Sequence, residues 1–511
     1  MKVSLVGAGP GDPGLLTIRG KELIAEADVV VYDALANPAF LADARPDAEL
    51  IYAGKISDQH TLPQDRINEL LAKKALEGKN VVRLKGGDPY IFGRGGEEGE
   101  YLAARGIPFE EAPGVSSAVA APAYAGIPLT HRDLTSSLTI LTGHEKYKAA
   151  GSAHNWEALA RSGSTLVILM GMANLPEIVA NLVGAGMDEN TPAAVVYRGT
   201  TPMQKVATAP LAKIAAAAKE AGLANPSVVV IGKVVSMRET LDWFSKKPLL
   251  GKRIIVTRAR EQASGLAKSL TELGAETLEC PAIKIAPLAD YSAIDSAIDN
   301  LPAYKWLIFT SANGVKYFWQ RLEAKDRDSR ALGAAKVAAI GPGTADALRA
   351  KGVIADFTPS AYVAEEVASQ LIKREGSALA GQKILLPRAT KTRTVLEETL
   401  MEAKAAVDPI PVYDTVTGEG CDEEVIRLLN EGKIDCVTFG SSSSATNFLK
   451  IASPETLGSH PETLLAAIGP VTAKTLEERG LKVAIQAEQF SIPGLVAAIV
   501  NYYASMAEKQ C

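Results

Sequence analysis

Residues 251–505 contain one series of motifs twice, and this duplication limits the possible folds more than any other feature of the chain. The matched blocks are 251–259 with 381–389, 281–283 with 411–413, 309–314 with 439–444, and 339–345 with 467–473. Each copy alternates short apolar runs with helical stretches, such as residues 261–273 and 395–403. This alternation is typical of parallel sheets with crossover helices. It predicts two similar α/β lobes, which suit either an enzyme or a two-lobed binding module.

The rest of the chain must form at least one further domain. A length of 511 residues predicts three or four domains at about 150 residues each. Hydrophobic residues make up 47% and charged residues 22%, as in a soluble globular protein. The net charge of −5 provides no general basic field for nucleic acid. An anionic substrate must therefore be bound by local Arg, Lys and His side chains.

The amino terminus and the cysteines predict a cytoplasmic protein. The chain starts without the apolar stretch and cleavage site of a signal peptide, and no apolar run reaches the roughly 18 residues that span a bilayer. The cysteines are Cys280, Cys421, Cys436 and Cys511, without a C-x-x-C pair or a histidine at ligand spacing. We expect reduced thiols, with neither a metal site nor a disulfide.

A glycine-rich segment at residues 82–98 is the strongest candidate for a small-molecule site. It holds five glycines and directly follows an apolar run, so it predicts a strand that enters a tight loop. We expect the N–H groups of Gly86 and Gly87 to face a polar ligand, and Asp88 to offer a carboxylate. Arg83, Lys85 and Arg94 flank the loop, where they would attract an anionic second substrate. The alternative is a surface turn with solvated charges.

The loop at residues 7–14 suggests a dinucleotide site, but it fails on detail. A strand at residues 3–6 precedes it, and an acidic residue, Asp33, ends the next strand about twenty positions later. The third glycine of the G-x-G-x-x-G pattern would fall at position 12, which is Asp. We keep a nicotinamide-dependent oxidoreductase, fused to a two-lobed ligand-binding module, as the alternative function.

Pro and Gly residues mark the boundaries in the first half. Their density near residue 113 predicts two α/β lobes, at about 1–112 and 113–245, and residues 246–250 form a short linker. Further strands are predicted at residues 138–142, 165–170, 193–197 and 228–231.

Residues 1–245 resemble uroporphyrinogen-III C-methyltransferase, a member of the tetrapyrrole methylases. The matching motifs are Val-Gly-Ala-Gly-Pro-Gly-Asp at 6–12, Tyr-Asp at 32–33, Arg-Leu-Lys-Gly-Gly-Asp-Pro at 83–89, Gly-Arg-Gly-Gly-Glu-Glu at 93–98, Gly-Ile-Pro-Leu-Thr-His-Arg at 126–132 and Met-Gly at 170–171. The resemblance implies two α/β lobes, usually in a homodimer, that hold S-adenosyl-methionine between them. Tyr90 and Ser117 depart from the usual Phe and Ala, which we expect to be tolerated. No dehydrogenase-chelatase module precedes residue 1, so oxidation and iron insertion are not expected.

The resemblance also implies roles for individual residues. The cofactor contacts would be Pro10, Gly86, Gly87, Asp88, Ile91, Ser116, Ser117, Met170 and Gly199. Asp33 matches the proposed proton acceptor and Lys55 the proposed donor, although without the family they would be taken for a turn residue and a solvated charge. The substrate has eight carboxylates, for which the candidate partners are Arg19, Arg83, Arg94, His131, Arg132 and His144.

Residues 251 to about 505 resemble uroporphyrinogen-III synthase. The matching motifs are Ile-Phe-Thr-Ser-Ala-Asn-Gly-Val at 308–315, Ala-Ile-Gly-Pro at 339–342 and 467–470, and Pro-Val-Tyr at 411–413. The implied fold has one lobe at 251–285 plus 413–506 and another at 288–411, joined by two bridging strands. The implied reaction closes linear hydroxymethylbilane with its last pyrrole inverted, and it needs no cofactor. We assign Tyr413 to the leaving group, with a buried packing role as the alternative; Thr472 matches another cleft residue.

Further polar residues of the second half are candidates for the substrate carboxylates. They are Arg258, Ser311, Asn313, Arg388, Lys391, Arg393 and the run at 441–444, which includes Ser441 and Ser442. Together the two halves predict a bifunctional α/β enzyme that makes uroporphyrinogen III and methylates it twice to precorrin-2, in the siroheme or cobalamin branch. Its partners are expected to be small-molecule tetrapyrroles and a second copy of the chain.

Overall fold

The computed structural model describes residues 1–54, 63–144, 153–257, 260–360, 363–418 and 420–508. It forms two compact units, Met1–Gly251 and Lys252–Cys511. Within the described ranges, no helix is both long and apolar enough to cross a membrane. The predicted α/β fold class is confirmed in both units.

The first unit contains ten strands and eight α-helices in its described residues. The strands are β1 (Val3–Gly7), β2 (Val29–Tyr32), β3 (Glu49–Tyr52), β4 (Val81–Lys85), β5 (Phe109–Ala112), β6 (Leu138–Thr142), β7 (Thr165–Leu169), β8 (Pro192–Tyr197), β9 (Lys205–Pro210) and β10 (Ser227–Ile231). The helices are α1 (Ile18–Glu26), α2 (Gln64–Leu76), α3 (Gly95–Ala103), α4 (Ser117–Tyr124), α5 (Trp156–Arg161), α6 (Leu175–Gly184), α7 (Ile214–Glu220) and α8 (Arg238–Leu241).

The first lobe has a fully parallel sheet in the order β3-β2-β4-β1-β5. Its central strands β1 and β4 are buried along their whole length, which explains their continuous apolar character. Because the strands are parallel, the loops after β1, β2 and β4 lie at the same edge. A dinucleotide-binding sheet places β1 between β2 and β4. Here β4 lies between β2 and β1, so the order does not match the nicotinamide alternative.

The second lobe has a mixed sheet in the order β6-β7-β10-β8-β9. Only the pair β6–β7 is parallel, and the other three pairs are antiparallel. Strand β9 was not predicted, because it is an edge strand with mostly small side chains and no continuous apolar run. The four predicted strands of this lobe are all present.

The second unit contains ten strands and eleven α-helices in its described residues. The strands are β11 (Arg253–Val256), β12 (Glu276–Glu279), β13 (Ile283–Ala286), β14 (Trp306–Phe309), β15 (Lys336–Ala339), β16 (Lys383–Ala389), β17 (Ala406–Thr417), β18 (Cys436–Phe439), β19 (Leu464–Ala467) and β20 (Ile485–Gln486). The helices are α9 (Arg260–Glu272), α10 (Ser292–Asp299), α11 (Ala312–Ala324), α12 (Pro342–Ala350), α13 (Ala364–Glu375), α14 (Val395–Glu402), α15 (Glu423–Asn430), α16 (Ser442–Ile451), α17 (Pro454–Gly458), α18 (Pro470–Glu477) and α19 (Ile492–Glu508).

The duplicated motifs occupy equivalent places in two sheets. One sheet has the order β12-β11-β18-β19-β20 and the other β13-β17-β16-β14-β15. The run β12-β11-β18-β19 corresponds to β17-β16-β14-β15, and every neighbouring pair in both runs is parallel. The second sheet alone gains β13, which pairs antiparallel with β17. This differs from the expected lobe boundaries, since β13 joins the 288–411 lobe and β17 continues past residue 413.

A disulfide joins the two segments that cross between these sheets. Cys280 follows β12 and Cys421 follows β17; their Cα atoms are 4.3 Å apart, although 141 positions separate them in the sequence. The segments already lie side by side, because the Gly418 N–H donates to the Ala282 carbonyl over 3.0 Å. The expectation of reduced thiols is therefore wrong for this pair. Only the chain topology brings the two cysteines together, so their spacing could not show it. Cys436 is a buried free thiol.

Candidate active sites

The loops after β1 and β4 are hydrogen-bonded to each other. The Gly9 N–H donates to the Gly87 carbonyl over 3.1 Å, and the Gly87 N–H donates to the Gly9 carbonyl over 2.7 Å. The Gly86 N–H donates to Asp33 Oδ1 over 3.4 Å. These N–H groups were expected to face a ligand, and the structure instead uses them inside the protein. The reason is that neighbouring parallel strands bring their loops close enough to bond.

Glycine is required in this loop because three backbones meet there. A Cβ on Gly7 would lie 2.4 Å from Gly114, and a Cβ on Gly114 would lie 2.2 Å from the Gly87 carbonyl oxygen. Gly87 itself has a φ of +70°, which favours glycine. Its own Cβ position is open, with the nearest atoms 3.8 Å away in Ser117 and 4.0 Å away in Ser116. A side chain at residue 87 would fill this gap. Three of the predicted cofactor residues, Gly87, Ser116 and Ser117, therefore line one open space, which we call the cradle.

Asp88 fixes the conformation of the same loop. Its Oδ1 accepts from the N–H groups of Tyr90 (2.9 Å) and Ile91 (3.0 Å), and its Oδ2 accepts from Gly114 N–H (3.1 Å). Three main-chain bonds already hold the carboxylate that we predicted for a ligand. Ile91 remains 41% exposed and is available for an apolar contact.

Asp33 lies where β2 ends, beside the β4 loop. Its Oδ2 is 3.2 Å from Arg83 Nη2, and its Oδ1 accepts from Gly86 N–H. The Asp33 side chain is 27% exposed, so it is held from one side and reachable from the other. A residue that only forms a turn would not need these two contacts, so the geometry favours a functional role for Asp33. Lys55, the predicted proton donor, lies outside the described residues.

Asp33, Arg83, Lys85 and Glu98 form a buried charge cluster. Arg83 and Lys85 alternate with apolar residues on β4 and therefore share one face. Glu98 of α3 covers that face: its Oε1 is 2.8 Å from Lys85 Nζ and 3.3 Å from Arg83 Nε. Burial, and after it the charge of Arg83, lower the pKa of Lys85. Arg83 is 3% exposed and each of its three nitrogens donates to a group of the protein, so we assign it to Asp33 rather than to a substrate carboxylate.

Glu98 is the member of this cluster that sequence reasoning missed. Two cations at positions i and i+2 of a buried strand need a buried counter-charge. The Glu-Glu pair at the end of the glycine-rich motif could therefore have indicated this counter-charge from the sequence.

Loops of the second lobe meet the first lobe beside the predicted cofactor residues Pro10 and Gly199. The Asp12 N–H donates to Thr200 Oγ1 over 3.2 Å, and Tyr124 Oη donates to Asp12 Oδ2 over 2.8 Å. Met170 directly follows β7, has a φ of +55° and is 48% exposed, so it does not fill the core.

Left-handed backbone is concentrated in these loops. Five of the seven non-glycine residues with positive φ in the described chain belong to the first unit: Phe92, Arg94, Met170, Arg198 and Thr200. All five follow strand β4, β7 or β8. Such conformations are costly and are typical of functional loops.

The remaining basic candidates of the first unit are on the surface. Arg19 pairs with Glu22 and Glu110, and Arg94 pairs with Glu97. His131 Nδ1 accepts from Asp133 N–H, and Arg132 and His144 are exposed. Contacts of these side chains to the substrate carboxylates stay a prediction.

In the second unit, Tyr413 and Ser311 form a neutral site. Tyr413 lies on β17, is 7% exposed, and its Oη is 3.1 Å from Ser311 Oγ. Ser311 also caps α11, since its Oγ accepts from Gly314 N–H over 3.0 Å. The Tyr317 ring stacks on Tyr413 at 5.6 Å, and burial raises the pKa of Tyr413. A protonated phenol is thus held in a fixed position.

The other predicted residues of this unit are divided between the two sheets. Arg388 is the last but one residue of β16, and its Nη1 is 2.9 Å from Glu397 Oε1. Asn313 lies in the first turn of α11. On the equivalent helix α16, Ser441 provides a capping box with Ser444. Ser442 donates to the Val471 carbonyl, and Thr472 is buried. Arg258 lies outside the described residues.

Comparison with known proteins agrees with this division. The family model for tetrapyrrole (corrin/porphyrin) methylases matches residues 2–215, and the model for uroporphyrinogen-III synthase HemD matches residues 264–497. The chain is 38% identical to the porphyrin biosynthesis protein HemD of Ruminiclostridium josui over 98% of this chain and 97% of that protein. It is 42% identical over 330 residues to a uroporphyrinogen-III C-methyltransferase of Bacillus subtilis, covering 65% of this chain and 68% of that protein.

Other relatives match one half only. Siroheme synthase of Methylobacillus flagellatus is 52% identical over 48% of this chain, which spans about half (52%) of that protein. Among solved structures, uroporphyrin-III C-methyl transferase of Thermus thermophilus, complexed with S-adenyl homocysteine, is 38% identical with a TM-score of 0.40 over 46% of this chain and 99% of that chain. A mutant uroporphyrinogen III synthase of the same organism is 20% identical with a TM-score of 0.37 over 50% and 99%.

The two units therefore define a two-part enzyme of tetrapyrrole biosynthesis, with a methylase followed by a synthase. The chain belongs to the porphyrin biosynthesis family that includes the HemD protein of Ruminiclostridium josui. The predicted resemblance is confirmed for both halves, and the nicotinamide alternative is wrong.

Proposed function

We propose that the second unit converts hydroxymethylbilane to uroporphyrinogen III and that the first unit methylates this product at two carbons to give precorrin-2. The observation that carries the proposal is the position of Asp33, held by Arg83 and Gly86 beside the loop of the glycine-rich motif. This arrangement leaves a partly exposed carboxylate next to the cradle at Gly87.

The cradle suits S-adenosyl-methionine, the methyl donor implied by the family. It offers an open backbone position at Gly87, and Ile91 of the same loop has a half-exposed apolar side chain. Met170, also half-exposed, is proposed to contact the cofactor from the second lobe. The cofactor supplies an electrophilic methyl group. The protein contributes orientation, since Asp88 fixes the loop and Tyr124 ties Asp12 to the second lobe. Asp33 accepts the ring proton, through the oxygen edge that Arg83 and Gly86 leave accessible.

In the second unit, Tyr413 acts on the leaving hydroxyl of hydroxymethylbilane. Ser311 holds the phenol oxygen, and the raised pKa keeps the phenol protonated. The phenol donates a hydrogen bond to the departing oxygen, which the electron-rich pyrrole expels. The proton that the terminal pyrrole carbon loses on ring closure completes the molecule of water that leaves. Arg388, Asn313, Ser441, Ser442 and Thr472 are proposed to bind acetate and propionate groups. No cofactor is proposed for this step.

The setting of these reactions is also a proposal. The substrates are small tetrapyrroles, the protein works in the cytoplasm, and the methylase unit pairs with a second copy as in its family. The product enters the siroheme or cobalamin branch.

The test supplies hydroxymethylbilane and S-adenosyl-methionine to the purified full chain and follows precorrin-2 by absorbance and mass. Omission of S-adenosyl-methionine should leave uroporphyrinogen III, and direct addition of uroporphyrinogen III should bypass the second unit. Accumulation of only the uninverted isomer would contradict the synthase assignment. Unmethylated uroporphyrinogen III in the presence of the donor would contradict the methylase assignment.

A further inference from the structure

Glu98 is a fully buried carboxylate that the proposed chemistry does not itself use. Its Oε1 accepts from three side chains: Lys85 Nζ at 2.8 Å, Gln64 Nε2 at 2.9 Å and Arg83 Nε at 3.3 Å. Its Oε2 is buried with no hydrogen-bond partner among the described residues. A buried carboxylate with one orphaned oxygen is costly, so a compensating role is expected.

Arg83 connects Glu98 to Asp33. One edge of the guanidinium, Nε, faces Glu98, and Nη2 faces Asp33 Oδ2 at 3.2 Å. Nη1 donates to the main-chain carbonyls of Val31 and Leu84, each over 3.3 Å. The planar guanidinium is therefore fixed at all three nitrogens. In this series of contacts, from Glu98 through Arg83 to Asp33, Asp33 is the residue that solvent can reach.

The charges of the cluster balance, and this balance decides where Arg83 points. Two cations, Arg83 and Lys85, face two carboxylates, Asp33 and Glu98. Without the charge of Glu98, the guanidinium has one carboxylate left as its partner and turns toward it. Asp33 would then be bound at its accessible oxygens and drawn away from a substrate.

We propose that Glu98 is a positioning residue for methyl transfer: it anchors Arg83, and Arg83 in turn orients Asp33 toward the substrate. The proposal rests on the proposed role of Asp33 as proton acceptor. Glu98 does not contact the substrate itself, because it is covered by α2 and β4.

The test is Glu98→Gln in the full chain, which removes the charge and keeps the shape. We expect kcat for methylation of uroporphyrinogen III to fall about tenfold or more, while KM for S-adenosyl-methionine stays within about twofold, since the interaction matters only for the reacting geometry. Affinity for S-adenosyl-homocysteine, measured by calorimetry, should also stay within about twofold. The control is Glu100→Gln, an exposed carboxylate of the same helix, which should behave as wild type. A folded Glu98→Gln enzyme with wild-type kcat would overturn the proposal.

A double variant separates positioning from simple charge balance. Lys85→Met with Glu98→Gln removes one cation and one anion, so the buried charges cancel again and folding is supported. We expect kcat to stay low, because Arg83 still lacks its anchor. Recovery of wild-type kcat would mean that Glu98 only neutralises Lys85, and the proposal would fail.

Two reference proteins distinguish this proposal from the function on which it rests. If wild type transfers no methyl group, the proposed function fails, and this inference fails with it. If Asp33→Ala retains wild-type kcat, the role of Asp33 fails. If wild type is active, Asp33→Ala is inactive and Glu98→Gln is normal, only the role of Glu98 fails.

Discussion

The two units use polar groups in opposite ways. The site of the first unit is built on charges that are buried on β4 and α3, and one acid, Asp33, emerges from them. The site of the second unit is built on two neutral hydroxyls, Tyr413 and Ser311, where a helix begins. Buried charges must be paired within the protein, whereas hydroxyls need only hydrogen bonds.

This difference matches the two proposed reactions. Removal of a ring proton needs an ionised acceptor in a fixed orientation, and a carboxylate held by Arg83 provides one. Loss of a hydroxyl from an electron-rich pyrrole needs only a donor, and a protonated phenol provides one. The covalent support differs as well: among the described residues, the disulfide Cys280–Cys421 belongs to the second unit. Substitutions in the charge cluster should therefore affect methylation only. Substitutions at the two hydroxyls or at the disulfide should affect the second unit only.

The largest effect is expected from Asp33→Ala. It should lower kcat for methylation by about 10²–10⁴-fold, the range for a lost general base, without changing ring closure. Affinity for S-adenosyl-homocysteine should stay within about threefold, because Asp33 holds the loop only through a long bond to Gly86. Isothermal calorimetry and single-turnover methylation measure the two quantities. Unchanged turnover would remove Asp33 from the mechanism.

The next effect concerns the second unit. Cys421→Ser should lower the free energy of unfolding of that unit by about 2–4 kcal/mol, because the bridge closes a long loop. Hydrogen exchange of β11 and β18, followed in increasing denaturant, localises the loss to this unit. A reductant should destabilise wild type by a similar amount and leave the variant unchanged. Equal stability of wild type with and without reductant would show that the bridge does not form in solution.

The sequence predicted the arrangement of strands better than the environment of polar groups. Continuous apolar runs and the duplication indicated the sheets and their loops, because burial on both faces leaves a visible pattern. The pattern does not show which groups pair with each other. Arg83 and Lys85 were predicted to attract an anionic substrate beside the loop, and α3 instead buries them against Glu98. Likewise, the duplication aligns Tyr413 with Ile283, so the hydroxyl that matters lies where the copies differ.

A smaller effect is expected from Tyr413→Phe. Loss of the phenolic O–H should slow ring closure about tenfold, the worth of one hydrogen bond of about 1–1.5 kcal/mol, and leave methylation of added uroporphyrinogen III unchanged. Because burial raises the pKa of Tyr413, its deprotonation should not limit ring closure in wild type between about pH 7 and 9, well below the ordinary phenol value. The fraction of inverted product, separated by chromatography, gives the readout. Normal closure would demote Tyr413 to packing.

The smallest effect compares the two equivalent serines. Ser311 caps α11 and Ser441 caps α16 in the same way, so Ser311→Ala and Ser441→Ala should each cost about 1 kcal/mol of stability. Only Ser311 touches the phenol of Tyr413, so Ser311→Ala alone should also slow ring closure, and by no more than Tyr413→Phe does. Denaturant unfolding and initial rates of closure separate the two quantities. If Ser441→Ala slows ring closure as much as Ser311→Ala does, both serines act on the substrate. The contact between Ser311 and Tyr413 would then not explain the effect of Ser311→Ala on closure.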